Sequence, residues 1–220
     1  MLQKAKKYDL AVKFKQAGYF KVAYPMFREC LEDREQDYGN VLFQCGWCVE
    51  HLDDIDNSLA VSYYLRAGKE SANAVCRMNG FFRAGWLLMH FKRNEQAIEA
   101  FKNAIQIGHS EGYYESIYQE SLYWCAVCLE SKNRFLDAIN LYRVVQDISA
   151  ALNPESRYRE IKCLLAVGLF DEVLQLCKSF DFLPPPEFSA ERYNELKNLA
   201  EEEKVLLSDC YLSKLNEQDY

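Results

Sequence analysis

The chain has 220 residues, half of them apolar and 27% charged, which is enough to bury a core and excludes a disordered chain. Asp plus Glu number 33 against 26 Lys plus Arg, and the formal charge of −7 is the wrong sign for a protein that reads phosphate backbones. Nine glycines and five prolines are too few for a turn-rich β architecture, and the densest apolar run, Ala84 to Phe91, is far short of the ~20 residues of a membrane span.

The opening MLQKAKKYDL places Lys4, Lys6, Lys7 and Asp9 where a secretory signal would be apolar. The cysteines number nine, an odd count that argues against a disulfide framework and for a reducing, cytoplasmic setting. Residues 1–21 hold six lysines and one aspartate, net +5, and the remainder is −12. That asymmetry allows head-to-tail self-association, so a homo-oligomer is possible, although ordinary solvated faces explain it as well.

Along the chain the apolar residues recur at helical spacing. Ala23, Phe27 and Cys30 form a small–aromatic–small trio with steps of four and three. The trio returns as Ala60, Tyr64, Ala67, as Ala97, Phe101, Ala104 and as Ala138, Tyr142, Val145, with a weaker copy at Val173, Cys177, Phe180. Its leading residues lie 37, 37, 41 and 35 apart. Each trio follows an earlier helical pattern carrying a small residue at the helix crossing: Ala11, Gly46, Gly85 and Ala126, with Ile161 in the fifth copy. Short polar turns separate the two patterns, and Gly18 and Gly168 stand where a helix end takes a left-handed residue. Asp181 to Pro186 reads as a rigid stop, after which Ser189 can cap one more helix.

These paired patterns resemble the tetratricopeptide repeat (TPR) family, most closely in FFRAGWLLMHFKRNEQAIEAFKNAI, with some Sel1-like character in YYLRAGKESANAV. The resemblance implies an all-α fold, an α-solenoid of about five antiparallel helix–turn–helix repeats. The units span about 3–37, 39–72, 76–108, 118–150 and 154–181. A Pro-rich turn at 182–187 and a C-terminal capping helix at 188–216 complete the repeat domain of 3–181. It further implies that the first helix of each unit lines a concave groove.

Three residues before each crossing residue stand Tyr8, Phe43, Phe82, Tyr123 and Tyr158, all aromatic; one residue after it stand Val12, Trp47, Trp86, Val127 and Lys162. Each pair is four apart and shares a helix face. The expectation is an apolar, aromatic peptide-binding groove built from Tyr8, Val12, Phe43, Trp47, Phe82, Trp86, Tyr123, Val127 and Tyr158. Aromatic residues at helical spacing also fill cores, and that reading competes. The family's carboxylate clamp is not matched, because Tyr8 and Val12 occupy its Lys and first Asn slots, and Arg83 alone could serve a basic one.

Two Cys-x-x-Cys strings, Cys45–Cys48 and Cys125–Cys128, suggest zinc or redox chemistry in isolation. Both occupy the same slots of a first helix two units apart, too far to share a metal, and Cys163 repeats the second slot. Small apolar packing accounts for all of them. His51 and His90 lie near the ends of successive first helices without a partner at metal-ligand spacing. No phosphate-loop, dinucleotide or hydrolase motif occurs. The expected function is therefore a non-enzymatic scaffold or adaptor, chaperone-like in mode. It needs no cofactor and no metal, has no membrane span, does not bind nucleic acid, and takes a partner protein's peptide or amphipathic helix. The alternatives are a structural subunit whose groove its own chain fills, and a zinc or redox protein.

Overall fold

The computed structural model describes residues 2–32, 37–53, 55–169, 171, 172, 175, 176 and 202. Among these residues are nine α-helices and no strand. They are α1 (Leu2–Gln16), α2 (Phe20–Cys30), α3 (Tyr38–Glu50), α4 (Ser58–Glu70), α5 (Ala74–His90), α6 (Asn94–Glu111), α7 (Ser116–Ser131), α8 (Phe135–Ile148) and α9 (Asn153–Ala166). Apart from residue 202, the Pro-rich turn and the capping helix expected at 182–216 lie outside the described residues, as does most of the fifth unit's second helix. The chain forms two compact bodies, the first ending at Trp124 and the second beginning at Cys125 within α7.

In the first body three hairpins pair α1 with α2, α3 with α4 and α5 with α6. Successive hairpins meet where α2 packs on α3, α4 on α5 and α3 on α5. The trios fill the space inside each hairpin: Ala23, Phe27, Ala60, Tyr64, Ala67, Ala97, Phe101 and Ala104 are sealed from solvent. Burial of each Phe contributes about 2–3 kcal/mol to folding. The crossing glycine makes room for the trio's ring, since a Cβ on Gly85 would stand 2.8 Å from the Phe101 ring. A second close approach joins hairpins to each other. A Cβ on Gly80 of α5 would stand 2.7 Å from both the Gly68 nitrogen and the Tyr64 carbonyl oxygen of α4.

The second body repeats the plan. Ala138, Tyr142 and Val145 of α8 are sealed, and α9 packs on α8 with Ile161 and Leu164 buried. The buried Glu160 carboxylate accepts from Arg143 Nε at 2.5 Å and from Gln146 Nε2 at 2.7 Å, so its charge is both paired and hydrogen-bonded.

Four helix ends share one backbone device. Gly18 (φ +80°), Lys92 (φ +58°), Asn133 (φ +57°) and Gly168 (φ +76°) are left-handed. After each, a backbone N–H reaches back five residues: Tyr19 to the Phe14 carbonyl, Arg93 to Leu88, Arg134 to Leu129 and Leu169 to Leu164, at 2.9–3.0 Å. This closure satisfies carbonyls that a helix end otherwise leaves unpaired. The α3–α4 connection has seven residues instead and, among the described residues, no such closure, in keeping with the two extra turn residues in its sequence. Lys92 carries a Cβ where glycine is favoured. Lys92→Gly is therefore expected to stabilise the protein by about 0.5–1 kcal/mol, read as a rise in the denaturation midpoint at constant slope.

Candidate functional site

The face of interest in the first body is carried by α1, α3 and α5. Tyr8, Val12, Phe43, Trp47 and Trp86 are all partly open there. Phe82 and Tyr123, expected in the same open row, are 8% and 3% exposed and belong to the core. The reason is visible at three equivalent positions. Tyr8 leans on Phe27 (ring centroids 5.6 Å apart), Phe43 on Tyr64 (5.2 Å) and Phe82 on Phe101 (6.0 Å). Each ring stands at the border of its hairpin's core, and the extent of closure differs from hairpin to hairpin. In the second body Val127 and Tyr158 are partly open, with Lys162 Nζ 5.3 Å from the Tyr158 ring centroid.

The two tryptophans are held in the same way. His51 Nδ1 is 2.8 Å from the Trp47 carbonyl oxygen, and His90 Nδ1 is 2.8 Å from that of Trp86. Each imidazole also packs on its indole, at 5.0 Å and 4.6 Å. A histidine four residues after the tryptophan thus serves the helix end and braces the ring at once. Trp124 stands edge-on to Trp86 at 4.7 Å and extends the aromatic surface. The sequence reading passed over Trp124, although it lies two residues before the crossing position Ala126.

Polar groups surround these rings, of which the sequence had pointed only to Arg83. Lys15 Nζ and the Arg83 guanidinium lie 5.6 Å and 5.1 Å from the Trp47 centroid, within cation–π range. Lys15 Nζ donates to Gln44 Oε1 at 2.7 Å, Gln44 Nε2 to Asn40 Oδ1 at 3.2 Å, and Asn40 Nδ2 to the Tyr8 hydroxyl at 3.0 Å. Burial lowers the Lys15 ammonium from the ordinary lysine value.

One register links successive first helices. The residue four after a crossing position meets the residue two before the next one. Lys15 meets Gln44 in this way, Glu50 pairs with Arg83, and Glu130 pairs with Arg159 at 3.1 Å. At the two ionic joints the hairpin's own tyrosine joins in: the Tyr64 hydroxyl donates to Glu50 Oε2 at 2.7 Å, and the Tyr142 hydroxyl to Glu130 Oε2 at 2.6 Å. Arg83 is thus engaged by Glu50 and Trp47.

The cysteine strings behave as packing. Cys45, Cys48, Cys125, Cys128 and Cys163 are all buried. Burial raises the Cys45 thiol well above the ordinary range, Cys48 to about 11, and Cys128 and Cys163 to about 12. A redox thiol needs the opposite shift.

The fold is that of TPR-like helical repeats, an all-α solenoid class, and solved structures show the same. MamA from AMB-1 is 13% identical and aligns over 86% of this chain and 96% of its own, with a TM-score of 0.63. BtubC (BKLC) from P. vanneervenii is 16% identical over 82% of each chain, with a TM-score of 0.59. A putative kinesin light chain with nearly identical TPR-like repeats from Podospora anserina is 13% identical over 81% of this chain and 93% of its own, with a TM-score of 0.56. No family model and no curated protein matches the sequence.

Proposed function

We propose that this chain is a non-catalytic protein-interaction module that holds a segment of a partner protein against the faces of its first helices. The observation that carries this reading is the pair Trp47 and Trp86. Both rings are partly open, on successive first helices, and each is braced by its own histidine. A rigid indole loses little freedom on contact and buries much apolar area, which is why tryptophan dominates binding energetics at interfaces. Tyr8, Val12 and Phe43 add to this surface, and Val127 and Tyr158 offer the corresponding positions in the second body.

The test is Trp47→Ala combined with Trp86→Ala. Partners recovered by quantitative affinity purification on wild type should fall away on the double variant. Calorimetry with the leading partner should show a loss above ~2 kcal/mol at unchanged helicity. Undiminished partner binding by a folded double variant would reject the reading. Phe82→Ala is unsuitable for this purpose, because that ring is buried.

A further inference from the structure

We infer that the α1–α3 face selects an acidic partner segment, seating an Asp or Glu side chain against Lys15 and the amide donors beside it. This deepens the interaction reading above and rests on it.

The first observation is the direction of the hydrogen bonds. A lysine ammonium can only donate, so Gln44 must turn its oxygen toward Lys15. Its amide nitrogen then faces Asn40, whose oxygen accepts, and the Asn40 nitrogen faces Tyr8. One cation orients the whole chain of groups. Lys15 keeps two N–H bonds, Gln44 and Asn40 keep one each, and Tyr8 keeps its O–H. Each amide oxygen accepts one bond inside the chain and keeps one lone pair, so the free donors outnumber the free acceptors and the row seeks acceptors, of which a carboxylate offers the most in the smallest space.

The second observation is the missing counter-ion. At the equivalent joints Glu50 faces Arg83 and Glu130 faces Arg159. At this joint the cation meets a neutral amide, and among the described residues no carboxylate pairs with Lys15. The nearby Asp37 is engaged elsewhere, accepting from the Asn40 backbone N–H and the Ser71 hydroxyl, both at 3.2 Å. A cavity of about 330 Å³ opens beside the row, lined by Asp37, Asn40, Phe43, Gln44, Asn73 and Asn79 among others. Trp47 lies under the Lys15 ammonium, so an apolar residue next to the acidic one has a ring to rest on.

The test selects random decapeptides displayed on phage against the full chain. The expected result is enrichment of Asp or Glu next to an aliphatic or aromatic residue. Synthetic winners should bind about tenfold or more tightly than their Asn/Gln counterparts, as expected for hydrogen bonds to a charged group. That preference should vanish in Lys15→Met and, separately, in Gln44→Glu, which gives Lys15 an internal carboxylate. The second variant serves if the first fails to fold. Winners without acidic enrichment, or a preference that survives both substitutions, would overturn the inference and leave the interaction reading standing. Self-association abolished by Lys15→Met would assign the face to a second copy and also overturn it. An empty selection would reject both.

Discussion

Glu50→Ala is expected to destabilise the protein by about 3 kcal/mol. Its carboxylate serves two donors at once, the sealed Tyr64 hydroxyl and the mostly buried Arg83 guanidinium. Removing it takes the acceptor from a buried hydroxyl and the counter-charge from a cation that keeps only the Tyr64 hydroxyl and the Trp47 face beside it. Replacing all members together is a different matter. The third hairpin carries Phe101 and Met89 at the positions of Tyr64 and Glu50, so an apolar version already exists in this chain. Glu50→Met with Tyr64→Phe and Arg83→Leu should lie within about 1 kcal/mol of wild type. Chemical denaturation of the two variants decides it. A single substitution as mild as the triple one would mean the ion pair is ornamental.

Gly80→Ala should cost about 3 kcal/mol, at the upper end for overpacking. The atoms a new methyl would meet, the Gly68 nitrogen and the Tyr64 carbonyl oxygen, are backbone and cannot rotate away. Relief requires α4 and α5 to separate, which loosens every contact between the second and third hairpins. For a chain of this size the midpoint of thermal unfolding should fall by roughly 6–10 °C. Gly112→Ala makes the useful contrast: nothing lies within 4 Å of its Cβ, so only its left-handed backbone (φ +73°) is penalised. Equal losses at the two sites would show that the α4–α5 crossing yields more easily than its geometry indicates.

The architecture was legible because the period of the trios is a property of single helices. Ala97, Phe101 and Ala104 fall on one stripe whatever surrounds them, and the structure seals all three. The same holds for the small crossing residues, whose need is set by the ring opposite. Gly68 and Gly80 were not singled out, because they matter between hairpins and no repeated spacing marks them. The candidate face was half legible. Periodicity put Phe82 and Tyr123 in one register with Tyr8 and Phe43, but the depth of a border position depends on neighbours from other helices. Lys15, Gln44 and Asn40 escaped notice because a search for rings ignores charges. The signal was present all the same, as Glu50 with Arg83 and Glu130 with Arg159 stand at matching offsets from the crossing residues.

That shared offset has a consequence for how such a protein can be rearranged. A hairpin whose first helix ends in glutamate is fit to precede one that presents arginine, while the first, ending in lysine, is followed by an amide. Neighbour order is thereby written into side chains rather than into linker length. Duplicating the second hairpin in tandem would set Glu50 of the first copy against Gln44 of the second, and excising it would set Lys15 against Arg83, unless the edges were rewritten together.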